Sequence, residues 1–416
     1  MVLYLIDTLR ADRVGLYGYE RPTSPVMDAL GEAGVVFERA YAMDSRTLGS
    51  VPSLLTSLNT PSHGMMGYGD NLAPEIVTLA TEFRAAGYDT ASFVTNMVAG
   101  EFSGLDRGFA HFHDAIKKQS DRKARRSFPA RKFFRWMDRI DAGRSLPFFA
   151  YVHTAEPHRP YIAPDWYVAL FEDDYQGHVT GYFRGENGFK DATDPRDIAH
   201  VQALYDGEVR LADEALGRLI AGLEERGLRE NTLIVVTSDH GEELKDHGHW
   251  NHGHSVYDEL LRVPLIVSGP GVPAGRRVRE LVQLVDVAPT ILEMAGIRPP
   301  QAFEGESLRG LVTGSREEQL EGKAIFTRTT YPPLKAVVIE DQWKCIYEEG
   351  GAVELYDLEQ DPGETHDLAD VERERAAALF AKLRAWMDGT GQGRTAPRME
   401  LSEGDIEGLR ALGYVE

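Results

Sequence analysis

Short apolar runs, each followed by a polar or glycine-rich stretch, recur along the first two thirds of the chain. The runs occupy residues 2–6, 35–40, 91–95, 148–152, 233–237 and 263–267. Their β-branched and aromatic residues are typical of strands buried on both faces. Amphipathic patterns at 75–86 and 204–226 predict helices between the strands. This alternation predicts an α/β fold with a large mixed, mostly parallel sheet between helices.

The last quarter of the chain has a different pattern. Residues 320–388 contain short alternating runs and then a helical pattern around 371–388, which predicts a small α+β subdomain. A glycine-rich stretch and a short amphipathic segment follow. We therefore predict a large α/β domain at 1–315, a C-terminal subdomain with a small antiparallel sheet and helix at 316–388, and a linker with an amphipathic tail at 389–416.

Composition narrows the class of protein. The chain carries 66 acidic and 45 basic residues, a net charge of −21 at pH 7 that argues against a nucleic-acid binder. The single cysteine, Cys345, excludes an internal disulfide and a cysteine-based zinc site. No apolar run is long enough to predict a transmembrane segment. The compartment stays open: cytoplasmic as the sequence stands, periplasmic or extracellular if an N-terminal signal has been lost. The oligomeric state is open too.

Ionisable residues follow two of the predicted buried strands. Asp7 comes directly after the run at 2–6, and Asp239-His240 follow the run at 233–237. Charged groups in such places are costly unless something binds them, and ligands of open α/β sheets lie beyond the carboxyl ends of strands. We therefore expect these three residues to bind a divalent metal. The alternatives are that Asp7 caps a turn and that the histidine-rich stretch 240–254 is a solvated loop.

A hydroxyl residue is predicted at the start of a helix in DSRTLGSVPSLLTSL. Thr47 precedes the apolar part of this helix, where free amides and the positive end of the helix dipole favour an anion. Beside a metal, such a hydroxyl is an activated nucleophile. Without a metal, a threonine in this position is usually only a helix cap.

Longer motifs resemble the sulfatase branch of the alkaline phosphatase superfamily over nearly the whole chain. They are LIDTLRADRVGLYGYERPTSPVMDALGEAGVVFERAYA, SLLTSL, GYDTASFVTN, GLDRGFAHF, FFAYVHTAEPHRPY, VVTSDHGEE, HGHSVYDELLRVPLIVSGPG and ELYDLEQDPGETHDL. The resemblance implies the mixed, mostly parallel sheet between helices, a small C-terminal antiparallel sheet packed by a helix, and a metal-dependent ester hydrolase.

The resemblance also implies a metal-ligand set. Asp7 matches the family's first-strand ligand, Asp239 and His240 match its late ligand pair, and Thr47 matches its nucleophile, which completes the set. Thr8 stands where sulfatases have a second aspartate. A mixed oxygen and nitrogen set with one carboxylate fewer favours one Zn²⁺ or Mn²⁺ ion over Ca²⁺.

Other residues are expected around the transferred group. His158, in EPHRPY, matches a histidine that contacts this group and can serve the leaving oxygen. His252 lies where many relatives place a lysine or histidine that contacts the same group. Asn71 and Asn96 compete as an amide that binds a phosphoryl oxygen, and a plain loop amide is the alternative for each.

The nucleophile segment departs from that of sulfatases, which oxidise a Cys or Ser in C/S-x-P-x-R to formylglycine. Alignment on SLLT puts Thr47 at the nucleophile position, 40 residues after Asp7, with Gly49 in place of the proline and Val51 in place of the arginine. Threonine has a methyl group on Cβ and cannot give an aldehyde. A second register places Ser50 in S-x-P-S; in the first, Ser50 is interpreted as a helix-start cap and a candidate substrate contact.

These features predict a hydrolase of phosphate mono- or diesters, or a phosphoryl transferase, that acts through Thr47 on a small anionic ester. Thr nucleophiles are typical of the superfamily's phosphodiesterases and phosphoethanolamine transferases. A true sulfuric ester hydrolase and a non-catalytic binding relative remain as alternatives.

Two further segments have a distinctive composition. Residues 117–144 contain eleven Lys or Arg and three Asp. We predict a solvated helix with its arginines outward; the alternative is a rim that attracts an anionic substrate or lipid head groups. Residues 165–200 are predicted to be an insertion that covers the site.

Overall fold

The structure of the chain is a computed structural model, which describes all residues except 115–128, 142–146, 186, 320, 391–392, 405, 407–408 and 410–416. The strands are β1 (Val2–Ile6), β2 (Val35–Tyr41), β3 (Asp89–Val94), β4 (His111–Asp114), β5 (Phe148–Thr154), β6 (Ile234–Thr237), β7 (Glu243–Leu244), β8 (Trp250–Asn251), β9 (Arg262–Ser268), β10 (Arg276–Val278), β11 (Val282–Gln283), β12 (Ala324–Arg328), β13 (Lys335–Glu340), β14 (Trp343–Glu348) and β15 (Val353–Asp357). The helices are α1 (Pro25–Glu32), α2 (Thr47–Thr56), α3 (Thr60–His63), α4 (Leu79–Ala85), α5 (Ala130–Asp141), α6 (Asp165–Val168), α7 (Pro195–Glu224), α8 (Asp258–Leu261), α9 (Val287–Met294), α10 (Arg309–Thr313) and α11 (Arg373–Gly389).

The large sheet has the order β10-β2-β9-β6-β1-β5-β3-β4, with β11 also paired to β2. Strand β9 runs antiparallel to β2 and β6, and the other pairs are parallel. The predicted mixed, mostly parallel sheet is therefore confirmed. Leu5 of β1 is in register with His153 of β5 and Thr237 of β6, so the carboxyl ends of these three central strands lie side by side.

Strand β1 is buried on both faces. Leu3 and Leu5 belong to the core that includes α2 and α9, whereas Tyr4 and Ile6 belong to the core that includes α7. Because side chains alternate along a strand, an unbroken apolar run is what a central strand between two helical layers requires. The same packing fixes α2, and with it Thr47, beside the end of β1.

The predicted elements differ from the observed ones, and three of the differences have a clear local cause. The edge strand β4 was missed because HFHD has no apolar run. Helix α4 starts at Leu79 rather than 75, since Thr78 caps it and exchanges hydrogen bonds with Thr81. Helix α7 starts at Pro195 rather than 204, because Asp194 accepts a hydrogen bond from the amide of Arg196 and Pro195 occupies the first turn. The predicted insertion at 165–200 therefore runs into this helix.

The C-terminal subdomain is an antiparallel sheet of order β12-β13-β14-β15 packed by α11. In β13, Ala336 and Val338 face α11, while Val337 and Ile339 join the core of the large domain. The small sheet is thus buried on both faces. The hairpin between β12 and β13, residues 329–334, lies next to the start of α2: the amide of Thr330 donates to Asp44 Oδ2 over 3.0 Å.

A buried charge joins the subdomain to the large domain. Lys344 Nζ lies 2.8 Å from Asp258 Oδ1 and 2.8 Å from Glu364 Oε1, and its side chain is fully buried. Burial lowers the pKa of Lys344, but the two carboxylates raise it by more, so the amine stays charged.

The basic segment 117–144 lies largely outside the described residues. Within it, α5 buries Phe133, Trp136 and Met137 and exposes Arg131 and Arg135, as predicted for a helix with an outer basic face. Most of the predicted tail at 401–416 also lies outside the described residues. In the part of the chain that the structure describes, no helix is both long and apolar enough to cross a membrane.

Candidate functional site

Asp7, Asp239 and His240 come together at the carboxyl ends of β1 and β6. One ligand atom from each lies within 4.8 Å of the others, and all three side chains are fully buried. Asp7 Oδ1 and Asp239 Oδ2 accept no hydrogen bond from any described residue. Buried carboxylates without a partner are costly. The arrangement therefore fits a divalent cation between these side chains.

The other atoms of the cluster are held by the protein. Asn96 Nδ2 donates to Asp7 Oδ2 over 2.6 Å, and His153 Nε2 lies 3.4 Å from the same oxygen. Asp239 Oδ1 accepts from the amides of Thr8 and His240. Each carboxylate thus has one oxygen fixed by donors and one left for a ligand, as expected of a metal site with supporting partners.

The tautomer of His240 follows from its contacts. Its Nδ1 donates to the carbonyl oxygen of Gly241 over 2.8 Å, which leaves Nε2 facing the carboxylates, 3.5 Å from Asp239 Oδ2. Burial lowers the pKa of His240, but Asp239 and Asp7 raise it by more. Without a cation the imidazole would hold a proton against these charges, whereas a metal would take the place of that proton.

Thr8 has a strained backbone at this site. Its φ of 56° is rare for a β-branched residue, and its buried hydroxyl has no hydrogen-bond partner among the described residues. The conformation lets the Thr8 amide point at Asp239 while the Thr8 carbonyl accepts from Tyr205. The site therefore depends on a strained turn directly after β1.

Thr47 is the first residue of α2, and its side chain is buried next to the cluster. Thr47 Oγ1 lies 3.3 Å from His240 Nε2. Two residues further along α2, position 49 has no room for a proline, because a Cβ there would lie 2.1 Å from Asp44 Oδ2. Burial raises the pKa of Asp44 to about 6.

The prediction that Ser50 caps α2 was wrong. The helix starts at Thr47, and Ser50 lies within its first turn with its amide bonded to the carbonyl of Arg46. The Ser50 hydroxyl is buried and has no hydrogen-bond partner among the described residues. The Thr-x-x-Ser spacing concealed this, because both positions are common for a cap.

His252 and His158 lie next to the metal ligands. The ring centroids of His252 and His240 are 4.5 Å apart, and those of His158 and His252 are 5.0 Å apart. Nδ1 of His252 bonds to Glu242 Oε1 over 2.8 Å, and Nδ1 of His158 bonds to the carbonyl of Arg159 over 2.8 Å. Burial lowers the pKa of both histidines well below the ordinary value. Both rings are thus oriented by their Nδ1 atoms.

The remaining candidates separate into two groups. Asn96 joins the cluster through Asp7, whereas Asn71 Nδ2 donates to the carbonyl of Phe102 over 3.3 Å, which is the contact of a loop amide.

His247, from the histidine-rich stretch 240–254, lies in a second cluster beside the C-terminal subdomain, where its Nδ1 bonds to Glu259 Oε1 over 2.7 Å. Burial lowers the pKa of His247, but this hydrogen bond outweighs it and raises the pKa to about 9.

A small cavity opens beside Thr47. It has a volume of about 80 Å³ and is lined by Arg46, Thr47, Leu48, Tyr68, Val98, Arg159 and His252. Sequence reasoning missed both arginines and His153. The sequence did contain signals for them. Arg46 precedes Thr47 and Arg159 follows His158, while His153 is a polar residue near the end of an apolar run.

Comparison with known proteins gives the same fold. The family model described as Sulfatase matches residues 1–297, and the model described as N-sulphoglucosamine sulphohydrolase, C-terminal, matches residues 245–390. An arylsulfatase from Clostridium perfringens is 26% identical over 463 aligned positions, which cover 95% of each chain.

Two solved structures are similar over nearly the whole chain. The phosphonate monoester hydrolase of Agrobacterium radiobacter has a TM-score of 0.77 and 22% identity, and the match covers 95% of this chain and 99% of that one. A protein solved in complex with its substrate D-glucosamine-2-N,6-O-disulfate has a TM-score of 0.79 and 20% identity, over 94% of this chain and 97% of that one. At these identities the similarity establishes the fold.

Proposed function

This chain belongs to the sulfatase family of ester hydrolases, and on that premise we propose that it cleaves phosphate mono- or diesters, or transfers the phosphoryl group, with Thr47 as nucleophile. One observation carries the proposal. Thr47 Oγ1 lies at the start of α2, 3.3 Å from His240 Nε2, beside two buried carboxylates that each keep an oxygen for a ligand.

The neighbourhood of Thr47 favours direct attack over a formylglycine mechanism. Oxidation of threonine cannot give an aldehyde, and the space at Gly49 is filled by Asp44, so the proline of the maturation motif does not fit. Val51, where the motif has arginine, is fully buried in the apolar core. A threonine alkoxide, in contrast, can attack phosphorus as it stands.

The chain's own residues account for both halves of the reaction. Thr47 Oγ1 loses its proton to solvent and forms a bond to phosphorus while the bond from phosphorus to the leaving oxygen breaks. His158 keeps its Nδ1 proton on the Arg159 carbonyl, so its Nε2 relays a proton from solvent to the leaving oxygen. Water or an acceptor alcohol then attacks the phosphothreonine and gives up a proton, while the bond from phosphorus to Thr47 Oγ1 breaks and Thr47 Oγ1 regains a proton. His252 contacts the transferred group, held in place by Glu242.

We propose that Asp7, Thr47, Asp239 and His240 hold one divalent metal, with Zn²⁺ or Mn²⁺ preferred to Ca²⁺. Two features support this preference: the imidazole ligand of His240, and Thr8 in place of the second aspartate that sulfatases have. When bound, the metal supplies a lower hydroxyl pKa at Thr47 and offsets charge on the transferred group.

A sulfuric ester hydrolase is the second candidate, because the arylsulfatase of Clostridium perfringens is similar over 95% of both chains. A panel of p-nitrophenyl phosphate, bis-p-nitrophenyl phosphate and p-nitrophenyl sulfate with Zn²⁺, Mn²⁺ or Ca²⁺ separates the two. We expect a phosphoester to be the best substrate and Zn²⁺ or Mn²⁺ to be the best metal. Preference for the sulfate with Ca²⁺ would contradict the proposal.

A further inference from the structure

Arg46 lies at the mouth of the cavity beside Thr47, and three separate segments hold it. Its guanidinium carbon lies 4.4 Å from the ring centroid of Tyr331 and 5.8 Å from that of Tyr68. Its side chain also packs over Gly253, where a Cβ would lie 2.7 Å from Arg46 Nε. Gly253 has a φ of +85°, so this close approach is built into the loop that carries His252.

Among the residues that the structure describes, no carboxylate oxygen lies within salt-bridge distance of the Arg46 guanidinium, which packs on aromatic rings instead. Asp44 is near enough to attract Arg46 through space, but the hydrogen bond that Asp44 Oδ2 accepts comes from the Thr330 amide. A guanidinium that lines a cavity, stacks on aromatic rings and has no carboxylate in direct contact can bind an anion.

The position of Arg46 indicates which anion it binds. Asp7, Asp239 and His240 do not line the cavity, whereas Thr47, whose hydroxyl lies 3.3 Å from His240 Nε2, does, so the cavity borders the ligand cluster at Thr47. The transferred group must contact that hydroxyl and the ligand cluster. Tyr331, the stacking partner of Arg46, is 54% exposed and belongs to the C-terminal hairpin, so the guanidinium lies on the solvent side of the cavity. This is the side from which the rest of the substrate projects.

We propose that Arg46, clamped by Tyr331 and Tyr68, is a specificity-determining residue that binds a second anionic group on the leaving-group part of the substrate. The proposal rests on the proposed function only in taking the cavity as the substrate site. It makes the preferred substrates esters of acidic alcohols or phenols, in which a carboxylate, sulfate or phosphate stands beyond the ester that is cleaved. Arg159, stacked 5.0 Å from the Phe183 ring, borders the same cavity.

Calorimetry with non-hydrolysable probes tests this. Zinc-loaded protein is titrated with phenylphosphonate and 3-carboxyphenylphosphonate, and in parallel with benzenesulfonate and 3-sulfobenzoate. We expect the carboxylated member of at least one pair to bind about tenfold more tightly, as a charge-assisted bidentate contact provides. Arg46→Gln should remove this preference while leaving the affinity for the uncarboxylated probe within about twofold, and Arg46→Lys should retain part of it.

Two controls separate the clamp from general charge effects. Tyr331→Leu, at an exposed position, should weaken only the carboxylated probes, and the exposed helix residue Arg309→Gln should change neither. Equal affinities within both pairs for the wild-type protein, no detectable binding of either carboxylated probe at millimolar concentration, or an equal loss for both members of a pair in Arg46→Gln would overturn the proposal. If no aryl ester is hydrolysed, the proposed function fails, whereas the calorimetric result stands independently.

Discussion

The contact between Asn96 and Asp7 allows the support of the metal site to be tested separately from catalysis. Asn96 Nδ2 donates to Asp7 Oδ2 over 2.6 Å, and its Oδ1 accepts from the amide of Val98 over 3.0 Å; the residue is buried. In Asn96→Ala, losing a hydrogen bond to a carboxylate costs about 1.5–3 kcal/mol and losing the cap about 1 kcal/mol. We expect the free energy of unfolding of the metal-free protein to fall by about 2.5–4 kcal/mol.

The same change should weaken metal binding by about 10–100-fold, because Asp7 loses the donor that orients it. Urea denaturation of the metal-free protein and zinc titration against a chelating dye measure the two effects. Asn71→Ala is a matched control, since the Asn71 amide bonds to the Phe102 carbonyl and not to a ligand. Zinc affinities of Asn96→Ala and Asn71→Ala that both stay within twofold of wild type would refute the reasoning.

Three further predictions concern other residues. Lys344→Met should lower the free energy of unfolding, measured by urea denaturation, by about 3–5 kcal/mol, because it leaves two buried carboxylates unpaired. The control Lys382→Met breaks an exposed ion pair and should lower it by at most about 1 kcal/mol. Equal losses in the two variants would contradict this prediction. The raised pKa of His247, about 9, stabilises the folded state fully below about pH 6.5, and this stabilisation should be lost as the pH rises through 9. Melting temperatures of His247→Gln, measured over the same pH range, should not show this loss. A parallel loss in wild type and variant would contradict the prediction. His158→Ala and His252→Ala should lower turnover while metal analysis still finds about one ion per chain; loss of the metal in His252→Ala would make His252 a ligand.

Much of the metal cluster could be predicted because ionisable residues directly follow two central strands. Asp7 and Asp239 each interrupt an apolar run, and the parallel arrangement brings such positions together at one edge of the sheet. The family motifs then placed Thr47 and His158. Local pattern, topology and motif were sufficient to predict that these residues lie close together.

The residues that were missed depend on tertiary register. His153 reaches Asp7 because β5 lies beside β1. Asn96 was a candidate for a phosphoryl contact, but its hydrogen bond to Asp7 across 89 positions of sequence was not predicted. Arg46 gains its place from Tyr331, which belongs to the C-terminal subdomain. No local pattern encodes these distances. The Ser50 error has the same origin, since only the observed start of α2 separates a cap from a residue in the first turn.

The central claim is that Thr47 is an unmodified threonine that carries the covalent intermediate. Its Oγ1 lies 3.3 Å from His240 Nε2. Thr47→Ala should therefore reduce phosphoesterase activity by a factor of about 10³ or more, whereas Thr47→Ser should keep substantial activity. Ser50→Ala should reduce the activity far less than Thr47→Ala. The most direct measurement is mass spectrometry of the peptide that contains residues 47–53, from protein quenched in acid during turnover of the best phosphoester. The account predicts a phosphoryl group on Thr47 and no other modification. Formylglycine at position 50 would contradict it and would make the protein a true sulfatase.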